Sequence, residues 1–167
     1  MDSLKKNVPN ISVIIALVLM FFVAIMVARR PDPVTPTNLE TKIKTAQIII
    51  KNQIINAEVV SKSSEMYQGL SERQNLCESC GMLFKFSDSA ERDFVMRKMN
   101  FPLDIIFINQ GQIIKIAANL PPEDDQPKIV YSSDEPVDQV LEIKGGEASR
   151  YDLKVGDLVA VKLINNN

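Results

Sequence analysis

The chain has 167 residues, 46% of them hydrophobic and 24% charged, with 19 Lys and Arg against 21 Asp and Glu; that is room for one domain with a proper core, not for two. It contains no His and no Trp. This excludes Ser-His-Asp and Cys-His catalysis, zinc-hydrolase centres and two-His iron sites, and the absence of a basic stripe argues against a nucleic-acid surface.

After a ten-residue tail, the stretch from Ile11 to Ala28, ISVIIALVLMFFVAIMVA, carries no charge and only Ser12 as a polar residue. Eighteen residues at helical rise span about 27 Å, close to the thickness of a bilayer's hydrocarbon layer. A signal peptide would end in small residues at −3 and −1. Here Met26 occupies the −3 position relative to Ala28, and Arg29 and Arg30 follow directly. The stretch is therefore read as an uncleaved transmembrane anchor, with the lipid bilayer as its first partner. Lys5 and Lys6 on one side nearly balance Arg29 and Arg30 on the other, so charge alone does not orient it. The domain that follows an N-terminal anchor and the closely spaced cysteine pair favour an extracytoplasmic placement at the cytoplasmic membrane. Residues 29–45, with Pro31, Pro33 and Pro36, read as an extended linker.

Residues 46–165 change character, with short runs rich in Ile and Val. From residue 39 onward there are 15 Lys and Arg against 19 Asp and Glu, a mild acidity. Strands are predicted over 46–50 and 54–60, with Lys51-Asn52-Gln53 as their turn. A short helix follows, capped by Ser63 or Ser64, with Glu65 in its first turn, Met66 and Leu70 on one face and Gly69 near its end. Further strands are predicted over 81–86, 94–99, 103–109, 112–118, 128–132, 139–144 and 157–164, with Gln110-Gly111 as a tight hairpin and a helical turn near 147–151. Nine strands with so little helix predict an all-β fold, a β-sandwich or a partly closed barrel.

Four segments in order, Gly69-Leu70-Ser71-Glu72-Arg73, Gly81-Met82-Leu83-Phe84, Pro102-Leu103-Asp104-Ile105-Ile106-Phe107, and Leu141-Glu142-Ile143 with Gly145-Gly146 and then Gly156-Asp157, resemble the motifs of the domain of unknown function 192 family. The resemblance runs from about Ala46 to Ile164. It implies a compact β-sandwich-like fold and no established activity. Where that family commonly reads Phe-Trp-Met-Lys-Asn-Thr, this chain has Phe94-Val95-Met96-Arg97-Lys98-Met99. Val95 thus replaces the family's Trp, and a site lined by that residue would be altered here.

Among residues able to carry chemistry, Cys77-Glu78-Ser79-Cys80 has the spacing of a disulfide, a redox couple or half a zinc site. Its place in a loop before a strand, with no His to complete a zinc site, favours a structural or unpaired role for Cys77 and Cys80, a disulfide among them, over redox or metal chemistry. Arg73, Met96 and Asp104 are candidate ligand-binding residues. Arg73 and Asp104 could meet at a pocket mouth; alternatively they pair structurally, or Asp104 caps backbone amides at its strand start. Gly81, Gly111 and Gly156 read as turn glycines. Glu123-Asp124-Asp125 lacks the spacing of a calcium loop and reads as solvated surface. No metal or cofactor motif is present. The sequence thus points to a binding or interaction module at the cell envelope, with a small-molecule ligand or another envelope protein as partner. The alternative is an enzyme using Asp104 with Arg73, or the Cys77–Cys80 couple.

Overall fold

The computed structural model describes residues 44–164 and residue 20; apart from Met20, the stretch read as a membrane anchor lies outside them, as does most of the linker. Among the described residues no helix is long and apolar enough to cross a membrane. The described strands all belong to one unit, Lys42–Asn167, the all-β domain.

Its elements in chain order are β1 (Lys44–Ile50), β2 (Gln53–Val60), α1 (Ser63–Gln68), β3 (Cys80–Ala90), β4 (Asp93–Phe94), β5 (Leu103–Asn109), β6 (Gln112–Leu120), β7 (Tyr131–Ser132), β8 (Val137–Lys144), α2 (Glu147–Arg150) and β9 (Val159–Ile164). Seven strands form one sheet in the order β6-β5-β8-β3-β2-β1-β9, and β4 pairs with β7 apart from it. All pairs in the large sheet are antiparallel except β2 and β3. A parallel pair needs a long crossover, and residues 61–79 with α1 provide it.

The sheet curls until its ends meet. Gln112 bridges Leu158, and the amide of Val159 donates to the Gly111 carbonyl at 2.8 Å. The result is a partly closed barrel. Because side chains alternate across a strand, every strand sends one set inward and one set outward. The inward set, with Ile48, Ile55, Leu83, Ile106, Leu141 and Ile143, forms one buried cluster, joined by Ala148, Tyr151 and Leu153 from α2 and the turn after it. The outward set of the central strands, with Met82, Phe84, Ile105, Phe107 and Val140, forms a second cluster, covered by Leu70, Met96, Met99 and Phe101. Strands β3, β5 and β8 are therefore buried on both faces over their central lengths.

The hairpin at Gln110-Gly111 has positive φ at both residues, 48° and 75°, as a primed two-residue turn requires. Four expectations are corrected. The strand over 94–99 is confined to Asp93–Phe94. Beyond it Lys98 adopts a φ of 52°, and the Met96 carbonyl and Lys98 amide bond to Glu123 and Asp124 rather than to a strand ladder. The strand over 128–132 shrinks to Tyr131–Ser132, with Ile129 and Val130 left exposed. The helix is capped at Lys62 rather than at a serine, the Glu65 carboxylate accepting from the amides of Ser61 and Lys62. Gly81 is not a turn residue but lies inside β3, where a Cβ would stand 2.6 Å from the Glu142 carbonyl of β8; only glycine allows that approach.

Candidate functional site

Arg73 and Asp104 do not meet. Asp104 is fully buried and faces inward. Its carboxylate accepts from the amides of Asn119 at 2.6 Å, Gly146 at 3.0 Å and Ala148 at 2.7 Å, pinning the start of α2 to β5. Arg73 lies on the other face. Its guanidinium forks onto Glu58 of β2, Nη1 to Oε1 at 2.5 Å and Nη2 to Oε2 at 2.7 Å. That pairing holds the Glu58 carboxyl below its usual range and raises Arg73 further. Met96 is fully buried in the outer cluster; it packs there, while its neighbours Val95 and Arg97 line a cavity.

That cavity, about 750 Å³, opens between α1, the outer face of β3 and the 92–99 segment. Three elements are stitched together around it. Ser71 Oγ donates to the Arg97 carbonyl at 2.8 Å, and the Glu72 amide donates to the Lys98 carbonyl at 2.8 Å. Met66, Leu70, Phe84, Phe94 and Met99 make much of the wall, and Phe84 and Phe94 pack edge to face at 5.1 Å.

One acidic residue belongs to this apolar surround. Glu142 of β8 stands opposite Met82 of β3 and Ile105 of β5, and Met82 stands opposite Glu58 of β2. Glu58, Met82, Glu142 and Ile105 thus form one row across the outer face, with Glu142 lining the cavity. It is 5% exposed, and its Oε2 is buried without a hydrogen-bond partner. Burial pushes its carboxyl up to about 8, opposed only in part by the positive charge of Arg73. At neutral pH the group is mostly an uncharged acid, able to donate as well as accept.

Two arginines also line the cavity. The Arg92 guanidinium lies 4.1 Å over the Phe86 ring and pairs with Asp88 at 2.7 Å, while its Nε is buried without a partner. Arg97 lies 3.9 Å over the Tyr67 ring and donates to the Tyr67 carbonyl.

Cys77 and Cys80 are joined in a disulfide in the loop entering β3. Ser79 between them donates its amide to Glu147 Oε1 at 3.4 Å and shares a hydrogen bond with the Tyr151 hydroxyl at 2.9 Å. These contacts fasten the crossover to α2. In the acidic loop, Glu123 Oε1 accepts from the Lys128 amide at 2.8 Å, which closes the loop on itself.

The sequence reading overlooked Glu142, Arg92, Arg97 and Tyr67 as a group. The available signal was Glu142 itself, a charge inside the apolar run VLEI.

The family model of the domain of unknown function 192 (DUF192), described as "Uncharacterized ACR", matches residues 45–161. The chain belongs to this family. Among solved structures, this DUF192 domain resembles a Sinorhizobium meliloti protein described as a "putative transcription regulator", at 28% identity and a TM-score of 0.64, over 71% of this chain and 92% of that one. It also resembles a Novosphingobium aromaticivorans protein of unknown function, at 33% identity and a TM-score of 0.62, over 70% and 83% of the two chains. No curated protein matches it.

Proposed function

We propose that the protein is a small-molecule-binding module, held at the cytoplasmic membrane by the stretch from Ile11 to Ala28 and displaying its DUF192 domain outside the cytoplasm. The observation that carries the binding half is Glu142: a buried carboxyl with an oxygen that bonds to nothing, on the wall of a cavity. Burying a polar group without a partner costs free energy, and a ligand in the cavity is one way to supply the missing bond. The volume is that of a pocket for one molecule of ordinary metabolite or drug size. Asp104 and Arg73, separated by the sheet, offer no acid–base pair, and the disulfide holds both cysteines, so binding is favoured over turnover.

The test is a thermal-shift screen of cell-envelope metabolites against the fragment 42–167, beside its Val95→Trp variant. A ligand that raises Tm in the parent and not in the variant, whose indole fills the cavity, supports the reading. Consumption of that ligand overturns it in favour of an enzyme. The anchor is tested separately, by carbonate washing of membranes carrying the full chain; release into the supernatant overturns it.

A further inference from the structure

The polar groups around the cavity specify more than its existence. Phe86 and Tyr67 are the aromatic rings on which it could offer a ligand cation an open face, and each already carries a guanidinium, Arg92 at 4.1 Å and Arg97 at 3.9 Å. A cationic ligand would have to displace them, because cation–π attraction needs that face. Phe84 and Phe94 are spent on each other. Arg73, with its own positive charge bonded to Glu58, adds to the field a cation would meet beside Glu142.

The same groups leave donors in hand. Arg97 makes one hydrogen bond through its guanidinium, to the Tyr67 carbonyl; Arg92 bonds through Nη2 alone, to Asp88. Asp88 and Asp93 also line the cavity, but both are exposed. The two ends are separated along β3: Glu142 stands opposite Met82, while Arg92 lies over Phe86, four residues or roughly 13 Å further on. Phe84, Met66 and Met99 supply apolar wall in this region.

We propose that the cavity takes an elongated acidic amphiphile: a carboxylate held by Arg92, an apolar body along Phe84, and at its far end an oxygen that accepts a hydrogen bond from the Glu142 carboxyl. This rests on the binding reading above and narrows it to a ligand class. Glu142 acts as an uncharged donor, a role known for carboxylic acids buried in apolar sites. The groups set against it are Met82 and Ile105 on the adjoining strands and the charged pair Arg73–Glu58.

The experiment uses fragment 42–167 and 1-anilinonaphthalene-8-sulfonate as fluorescent reporter, displaced by decanoate, 10-hydroxydecanoate or decylammonium. The hydroxy acid is expected to compete best, several-fold ahead of decanoate for its extra hydrogen bond, with decylammonium at least about tenfold weaker. Arg92→Ala should weaken both carboxylates by about tenfold without weakening decylammonium. Glu142→Gln, which keeps a neutral donor, should retain the hydroxy acid. In the parent that affinity should fall several-fold as pH rises through about 8, whereas in Glu142→Gln it should stay level. Stronger displacement by decylammonium, or loss of hydroxy-acid binding in Glu142→Gln, would overturn the ligand class while leaving the pocket standing. If the reporter binds the parent and Val95→Trp alike and no competitor displaces it, the pocket reading falls as well.

Discussion

Asp104 and Glu142 sit on neighbouring strands, both buried, yet on opposite faces of the sheet. The inward carboxylate accepts three backbone amides; the outward one leaves Oε2 without a partner. The two acids are alike in type and depth, and the difference lies in what surrounds them. Asp104 meets the amides of a turn and a helix start, so its charge is solvated by the backbone itself. Glu142 meets Met82, Ile105 and a cavity, so burial makes it a neutral acid. A satisfied buried acid reports on architecture; an unsatisfied one beside a void is a candidate for recognition.

The largest effect should come from breaking the satisfied side. Asp104→Ala leaves three amides at the α2 turn without their acceptor and should cost about 3–5 kcal/mol in urea unfolding. A loss below about 1 kcal/mol would mean that water replaces the carboxylate there, and the contrast between the faces would collapse.

The outer face should then betray itself through pH. The Glu142 carboxyl ionises near its ordinary value in the unfolded chain but at about 8 in the fold. Unfolding therefore releases a proton between these two values, and stability falls as pH rises through that window. From pH 5 to 8 the domain should lose on the order of 3 kcal/mol that Glu142→Gln does not lose, read as the difference between two unfolding series.

A smaller effect comes from the loop joining the two faces. Removing the bridge with Cys77→Ser and Cys80→Ser should cost about 2 kcal/mol, because so short a loop constrains the unfolded chain little. The loss should centre on the Ser79 contacts to α2, seen as faster amide exchange there.

The smallest effect belongs to the Arg73–Glu58 pair. It is partly exposed, with side chains 36% and 30% accessible, so solvent screens it and Glu58→Gln should cost about 1 kcal/mol or less. Because the folded Glu58 carboxyl lies below its unfolded value, that contribution is present at neutral pH and disappears as acid titrates it. The same substitution removes a negative neighbour and should lower the Glu142 midpoint, whereas a substitution of Arg73 should raise it, a comparison that NMR titration of the side-chain carboxyls can make.

Much of the fold could be read from the chain because β1, β2, β5 and β6 are short runs rich in Ile and Val, punctuated by turn residues such as Gln110-Gly111. The segment from Phe94 to Met99 could not, since its backbone is fixed by bonds to Glu123 and Asp124, some 27 residues away. Local pattern cannot announce such partners. The pairing of Arg73 with Asp104 failed for a related reason. β5 is buried on both sides, so alternation gave no sign of which face Asp104 takes. Glu142 escaped notice on the same ground: in a strand buried throughout, one acid says that something unusual is inside without saying on which side.

The pairing of the first and last strands has a further consequence. Thr45 lies opposite Ile164, so the ends of the described domain leave from adjacent points on one sheet edge. Chains with neighbouring ends tolerate being rejoined and reopened elsewhere. Linking those ends through a few glycines and cutting between Gln110 and Gly111 would give a rearranged chain with every strand pair intact. It would also allow a tether or a reporter to be attached at a point of choice.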